Sequence, residues 1–209
     1  EAIGKKYQIS PRLACLIRNR DVIGEEAVDR YLNGTISDLY DGMLMKDMDK
    51  AIDILKEKIL EDKKIRVIGD YDIDGVNATY ILLEGLERLG ADVDSDIPDR
   101  ISDGYGLNRH LVERAYEAGV DTLITCDNGI AAADEIAYGK EMGMTVIVTD
   151  HHEVPFDEHD GEKRYRIPPA DAVIDPKQPD CLYPFKGLCG AAVAYKLMEA
   201  LWESIGKDS

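Results

Sequence analysis

Carboxylates and imidazoles gather in three short segments of the sequence. The first holds three aspartates within five residues, the second one aspartate, and the third an aspartate followed by two histidines. Carboxylates crowded within a few ångströms repel one another, and their pKa values rise unless cations neutralise them. Oxygen and imidazole ligands together suit divalent ions such as Mn²⁺ or Mg²⁺. The pattern therefore predicts a divalent-metal site with six ligands: Asp70, Asp72, Asp74, Asp127, Asp150 and His151.

The chemistry that such a site favours is hydrolysis of a phosphate ester. Two divalent ions about 3.5–4 Å apart clamp an in-line phosphoryl displacement and activate a water near neutral pH. Asp127 lies between the other two groups in chain order and is the natural candidate to bridge both ions. His151 is interpreted as one ligand and its neighbour His152 as a group that faces the phosphate, so Asp127, His151 and His152 are the candidate catalytic residues.

The triple-aspartate segment also has two simpler interpretations. Residues 70–75 fit the opening of an EF-hand calcium loop, but position 12 of that loop, which should be Glu, is Ile81, and a predicted strand precedes it. An aspartate after a strand can also simply cap the next helix. Capping accounts for one or two of these residues but not for three in five, so the metal site is favoured.

The elements that must position these residues alternate regularly along the chain. Apolar, β-branched runs predict strands, and amphipathic stretches between them predict helices. This alternation indicates an α/β fold, an open and mostly parallel five-stranded sheet with helices on both faces, whose strand ends present the aspartates. A short helical segment at residues 1–47 precedes this domain, which spans residues 48–209. The predicted strands are 64–68, 92–97, 122–125, 145–149 and 172–174, and the main predicted helices are 48–61, 76–89, 109–118, 131–142 and 190–205.

Two glycine-containing segments are weaker candidates for contact with substrate. Residues 100–107 form a glycine-rich loop, in which Arg100 would supply charge and Tyr105 a stacking surface, although an ordinary loop explains it equally well. Small residues around Gly190 open a predicted helix, so that backbone N–H groups could face a phosphate. Close helix packing explains this second segment almost as well.

The composition limits the class of protein. The 209 residues carry a formal net charge of −17, which argues against binding of nucleic acid by the whole surface. If nucleic acid is the substrate, metal ions and a local groove would have to supply the electrostatic attraction that binds it. No apolar run is long enough to span a membrane, no secretory leader opens the chain, and the four cysteines form no CxxC pair. A cytoplasmic protein that does not enter a membrane is expected.

The chain contains, in this order, the motifs GDYDIDG (69–75), SDGYGL (102–107), DNGI (127–130) and DHH (150–152). These four motifs resemble the DHH phosphoesterase superfamily. The second of them, which lies in the glycine-rich loop, and residues 185–191 specifically resemble its RecJ-type branch, which comprises single-strand-specific 5′-to-3′ DNA exonucleases of repair and recombination. The resemblance covers essentially the whole chain. The other residues that carry it are FKGLCGA (185–191) and the opening SPRLA (10–14).

The resemblance implies roles for individual residues. Asp72 and Asp74 match the metal-binding Asp-x-Asp of the family, Asp127 matches the aspartate shared between two Mn²⁺ or Mg²⁺ ions, and His152 matches the group that faces the scissile phosphate. Many relatives carry a His four residues before the Asp-x-Asp, where this chain has Ile68. Whether Asp70 takes the place of that ligand stays open. The resemblance also implies a further metal aspartate and a second domain beyond residue 209, so that this chain alone is expected to hold metal weakly and to be impaired in cleavage.

Two other functions stay open beside the exonuclease. One is an oligoribonuclease or cyclic-dinucleotide phosphodiesterase of the same superfamily. The other is a catalytically silent module that binds DNA or protein partners. The RecJ-like segments argue against the first, and the retained carboxylates argue against the second. The expected partner is single-stranded DNA, with replication or repair proteins as further candidates.

Overall fold

A computed structural model describes residues 2–99, 104, 106–159 and 161–207 of the chain. The chain divides into two compact units, Glu1–Tyr40 and Asp41–Ser209. The predicted domain boundary after residue 47 falls a few residues beyond this division, and the assignment of the domains stays a prediction. Within the described residues, no helix has both the length and the apolar character needed to cross a membrane.

The first unit is helical. The side chain of Ser10 accepts a hydrogen bond from the N–H of Leu13, and Pro11 occupies the first helical turn, where its missing N–H costs nothing. This local chemistry explains why the second helix begins where it does. The described elements of the unit are α1 (Ala2–Lys6), α2 (Pro11–Arg18), α3 (Glu25–Asn33) and a 3-10 turn (Ile36–Asp38).

The second unit contains the predicted parallel sheet. Among the described residues, five strands are hydrogen-bonded side by side, and each neighbouring pair is parallel. Their order across the sheet is β2 (Val93–Asp96), β1 (Ile65–Ile68), β3 (Thr122–Cys126), β4 (Thr145–Thr149) and β7 (Ala172–Ile174). The fold prediction is therefore confirmed. The elements are α4 (Met48–Leu60), β1 (Ile65–Ile68), α5 (Ile73–Glu87), β2 (Val93–Asp96), α6 (Arg109–Glu117), β3 (Thr122–Cys126), α7 (Ala133–Glu141), β4 (Thr145–Thr149), β5 (Phe156–His159), β6 (Glu162–Tyr165), β7 (Ala172–Ile174) and α8 (Gly190–Ser204).

Both faces of the sheet are buried by helices. Alternate strand residues point to opposite faces, so Val67 and Ile124 pack in one core cluster with α4, α5 and α8. Ile68 and Leu123, their neighbours along the strands, pack in a second cluster with α6 and α7. Strands that are buried on both faces have continuous apolar runs in their sequence, and these runs made the strands predictable.

The order of the strands places a crevice above the centre of the sheet. The chain moves from β1 outward to β2 in one direction and from β3 through β4 to β7 in the other, so the order reverses between β1 and β3. In open parallel sheets, ligands bind beyond the carboxyl ends of the strands at such a reversal. The segments that follow β1 and β3 begin with Gly69-Asp70 and Asp127.

Two local features differ from the predicted elements. Helix α5 begins at Ile73 rather than Val76, because Oδ1 of Asp72 accepts hydrogen bonds from the N–H groups of Asp74 and Gly75 and so caps the helix earlier. The polar stretch after Asp150 contains the antiparallel hairpin β5–β6, which forms a separate two-stranded sheet.

Candidate metal centre

The candidate ligands follow three adjacent strands. Asp70 lies two residues after β1, and Asp127 and Asp150 directly follow β3 and β4. The N–H of Asp127 donates to the carbonyl of Thr149 (3.1 Å), and that of Asp150 donates to the carbonyl of Ile174 (3.0 Å). Both aspartates therefore continue the hydrogen-bonded ladder of the sheet, which fixes where their side chains begin.

Two groups of potential metal ligands meet at one residue. In the first group, oxygen atoms of Asp70, Asp72 and Asp127 lie within 4.8 Å of one another. In the second, an oxygen of Asp127 and ring nitrogens of His151 and His152 lie within the same distance of one another. Asp127 belongs to both groups. This is the arrangement in which one carboxylate can contact two ions.

Asp127 is held in a restricted position. Its backbone φ is 60°, in the left-handed region that few residues other than glycine adopt, and its side chain is buried. Nε2 of His151 lies 2.9 Å from its Oδ1. Burial, followed by the negative charges of Asp74 and Asp72, raises the pKa of Asp127 to about 7. A cation at this position would reverse that shift.

The two histidines differ in their surroundings. Nδ1 of His152 lies 2.7 Å from Oδ1 of Asp150, and because a carboxylate only accepts, that nitrogen carries the proton. This contact raises the pKa of His152. Burial, followed by the charge on His152, lowers the pKa of His151 and keeps its ring neutral, as a metal ligand must be. A carboxylate that orients an imidazole is the usual support of a metal-binding histidine.

Asp150 is engaged within the chain. Its Oδ2 accepts from the N–H of Ile130 (2.9 Å), and its Oδ1 accepts from the N–H groups of His151 (2.7 Å) and His152 (3.2 Å). Although burial opposes ionisation, the contacts with His152 and Ile130 lower the pKa of Asp150. We predicted Asp150 as a direct ligand. That role stays a prediction: both oxygens accept hydrogen bonds from the chain, and a carboxylate has further lone pairs with which it can contact a cation.

Asp74 is held by the first turn of α8. Its Oδ2 accepts from the N–H of Gly190 (2.7 Å) and its Oδ1 from the N–H of Ala191 (2.8 Å). Burial opposes ionisation, but these N–H groups and the thiol of Cys189 outweigh it and lower the pKa of Asp74. The contact of Gly190 with phosphate stays a prediction; in the structure its N–H donates to the carboxylate of Asp74. Asp74 lies in neither ligand group, although Nε2 of His151 lies 3.5 Å from its Oδ2.

The glycine-rich loop and the position of Ile68 are two further parts of the prediction. Arg100 and Tyr105 lie outside the described residues. Ile68, at the position where many relatives carry a histidine, has its side chain buried in the core, and its carbonyl accepts from Nδ2 of Asn128 (3.2 Å). Asp70, two residues further on, is fully buried and belongs to a ligand group.

A further buried carboxylate was not among the predicted site residues. Asp175 follows β7, is fully buried, and accepts from the N–H of Lys177 through Oδ1 (2.7 Å). Burial raises its pKa to about 7, and the charge of Asp150 adds to the shift. The signal in the sequence was its position after the last strand, the same as that of Asp127 and Asp150.

The residues present fit divalent ions. Buried and partly buried carboxylates with two imidazoles provide oxygen and nitrogen ligands in the mixture that suits Mn²⁺, and Mg²⁺ uses the oxygens. Burial is the main cause of the raised pKa of Asp127, and the negative charges of Asp74 and Asp72 add to it, so a cation beside this carboxylate would be favourable. A cavity of about 320 Å³, lined in part by Asp150 and His152, opens beside the ligands.

Comparison with known proteins places this geometry in a family. Single-stranded-DNA-specific exonuclease RecJ of Bacillus subtilis (strain 168) is 41% identical over 96% of this chain and 24% of the relative. RecJ of Haemophilus influenzae is 36% identical over 95% of this chain and 32% of the relative. The chain thus spans about a quarter to a third of the length of these curated relatives.

Solved structures give the same result. The crystal structure of exonuclease RecJ bound to manganese is similar with a TM-score of 0.67 and 38% identity, and the match covers 78% of this chain and 39% of that one. RecJ in complex with Mn²⁺ from Thermus thermophilus has a TM-score of 0.59 and 36% identity, over 78% of this chain and 22% of that one. Residues 64–208 match the family model described as DHH family, N-terminal domain. The chain belongs to the DHH family.

Proposed function

We propose that this chain is the metal-binding part of a phosphodiesterase that releases nucleotides from the 5′ ends of single-stranded DNA. The observation that carries the proposal is the position of Asp127, which is common to two groups of ligands. The relatives named above support the substrate, because they are single-stranded-DNA-specific exonucleases. The 5′-to-3′ direction rests on the resemblance of the motifs.

The residues that would hold Mn²⁺ or Mg²⁺ belong to the two groups, whereas His152, whose ring contacts Asp150, would face the phosphate. Asp70, Asp72 and Asp127 would hold one ion, and Asp127 and His151 the other. Bound divalent ions would supply Lewis-acid chemistry, polarising the phosphate and lowering the pKa of water. The chain itself keeps His151 neutral. The hydrogen bond from Nδ1 of His152 to Asp150 directs the opposite edge of the His152 ring away from Asp150.

Activity of the whole protein, as its gene encodes it, tests the proposal. With Mn²⁺ present, 5′-labelled single-stranded DNA should lose its label as a mononucleotide, whereas the blunt duplex should persist. Asp127→Ala should abolish this release, because both groups lose their common ligand. Glu57→Gln, which alters an exposed carboxylate on α4, is the matched control and should be fully active. Substantial release by Asp127→Ala would contradict the role given to this residue.

The two alternative functions predict different results in the same assay. An oligoribonuclease or cyclic-dinucleotide phosphodiesterase would prefer short RNA or the cyclic dinucleotide in a substrate panel. A silent module would bind no Mn²⁺ in calorimetry of the whole protein. The cellular setting that goes with the exonuclease proposal is DNA repair and recombination in the cytoplasm.

A further inference from the structure

The hairpin β5–β6 lies apart from the main sheet. Its two strands pair only with each other among the described residues, and all of their residues are exposed. An isolated two-stranded hairpin is marginally stable in water. Large aromatic side chains at its surface therefore gain little from burial within the chain, and they call for a different explanation.

An aromatic pair and a cation share one face of this hairpin. Phe156 and Tyr165 lie directly opposite each other, with ring centroids 5.8 Å apart. Their exposed fractions are 42% and 39%, so both rings remain accessible. Nζ of Lys163 lies 4.2 Å from the centroid of the Phe156 ring. Exposed rings beside a cation form the surface on which unpaired nucleobases stack.

The charges of the hairpin are distributed unequally between its faces. Glu158 lies opposite Lys163, so these two charges balance on the aromatic face. Asp157, Glu162 and Arg164 lie on the other face, because successive side chains of a strand alternate, and that face therefore carries one net negative charge. In a chain of net charge −17, the aromatic face is thus a locally neutral surface on which a polyanion is not repelled.

The hairpin is attached closely to the metal centre. Phe156 comes four residues after His152, so their Cα atoms are at most about 14 Å apart. Between them, the buried side chain of Val154 anchors the chain to the core. The N–H of Arg166 donates to the carbonyl of Pro155 (2.7 Å) and closes the base of the hairpin.

Two neighbouring cavities connect the metal centre with this base. The cavity of about 320 Å³ is lined by His152, and a second one of about 100 Å³ is lined by Arg166. They share part of their lining, so that one depression leads from the candidate ligands to the hairpin. The shared lining residues are Ile130, Ala131 and Glu135.

We propose that the hairpin β5–β6 is a stacking platform for the single strand that the metal centre cleaves. Bases of the strand beyond the two nucleotides that flank the scissile phosphate stack on Phe156 and Tyr165, and Arg166 contacts the backbone of the strand at the base of the hairpin. Stacking on aromatic rings does not depend on base sequence, which suits an enzyme that degrades any sequence. The proposal rests on the proposed function, because it assigns a site to the same substrate.

Binding tests the platform separately from cleavage. In an Asp127→Asn background, which removes cleavage and one negative charge, anisotropy of labelled oligothymidylate gives the dissociation constant of the whole protein. Phe156→Ala with Tyr165→Ala should raise this constant roughly tenfold. The exchanged pair, Phe156→Tyr with Tyr165→Phe, retains both rings and should bind normally. Because both positions are exposed, thermal unfolding should be the same for all variants, and equal binding by the alanine variant would overturn the platform.

Cleavage provides a second readout in the otherwise unmutated protein. The alanine pair should raise KM for a long single strand and leave hydrolysis of a dinucleotide unchanged, because a dinucleotide does not reach the hairpin. An equal loss on both substrates would contradict the platform and indicate damage to the metal centre. If the unmutated protein cleaves neither substrate, the proposed function fails, whereas the binding experiment still tests the hairpin.

Discussion

A Cβ atom at Gly190 would lie 2.6 Å from Oδ1 of Asp127, closer than Cβ atoms approach other atoms in proteins. The first turn of α8 therefore lies directly against the carboxylate common to both ligand groups. The same turn donates two N–H groups to Asp74. Only glycine permits this approach, so its absent side chain is part of the geometry of the site.

Gly190→Ala should displace Asp127 and weaken metal binding. We expect the affinity for Mn²⁺ to fall by about 10–100-fold, as when other supports of metal ligands are changed. Overpacking should lower the free energy of unfolding by roughly 1–3 kcal/mol. Calorimetric titration and thermal unfolding measure the two effects. Gly139→Ala on α7, where the nearest atom would lie 3.5 Å away, is the control and should bind Mn²⁺ normally.

Binding of Mn²⁺ should release a proton from Asp127. Since its pKa is about 7, the carboxyl holds a proton below that pH, and the cation must displace it. The affinity should therefore fall about tenfold for each pH unit below 7. Titrations in two buffers with different heats of ionisation count the protons released. The same count from Asp127→Asn would contradict the assignment.

Asp127 should also destabilise the protein without metal as the pH rises. Its pKa is about 7 in the folded protein against a usual 3.8, so the folded state binds the proton more tightly than the unfolded state. The free energy of unfolding should then decrease between about pH 4 and pH 7, by up to about 4 kcal/mol. In chelator at pH above 7, Asp127→Asn should unfold at a higher temperature than the unmutated protein, whereas Glu57→Gln should not.

His151 and His152 should respond differently to substitution. His151→Gln should remove most of the affinity for Mn²⁺, because the neutral ring next to Asp127 is the expected ligand. His152→Gln should leave the affinity nearly unchanged and lower kcat by about 10²–10³, the usual cost of a lost group that stabilises developing charge. Equal losses of affinity in the two variants would show that both rings bind metal.

Asp94 should stabilise the edge of the sheet above acidic pH. Its carboxylate accepts two hydrogen bonds from Arg66, at 2.6 and 2.7 Å, which join β2 to β1. Arg66 thereby lowers the pKa of Asp94. Asp94→Asn should lower the free energy of unfolding at neutral pH by roughly 0.5–1 kcal/mol. This difference should shrink as the pH falls below the usual pKa and vanish below the lowered pKa of Asp94 in the folded protein, and metal binding should be unaffected throughout.

The sequence was sufficient for the sheet and for most of the candidate ligands. Strands buried on both faces leave apolar runs, and parallel strands end at one edge, so aspartates after those runs had to meet. Local capping was harder to see: Asp72 was interpreted only as a ligand, but it also begins α5 three residues earlier than predicted. The hairpin was missed because both of its faces are exposed, so that its strands show no alternation of apolar and polar residues.

The support of the site could not be predicted from spacing. The contact between Gly190 and Asp74 joins residues 116 positions apart, and nothing in a local pattern reports it. The same holds for Asp150, whose carboxylate looks like any other in the sequence but accepts bonds from Ile130 and the two histidines. Which carboxylates bind metal and which orient their neighbours is decided by backbone donors that only the folded chain brings near.

The contact between α8 and Asp74 also joins two distant parts of the chain at the metal centre. Asp74 lies in the first turn of α5, and the two N–H groups that hold it come from the first turn of α8. A shortened variant that ends before Gly190 would keep all the candidate ligands. It would lose both of these donors to the carboxylate of Asp74, so the metal centre depends on a helix that contributes no metal-binding side chain.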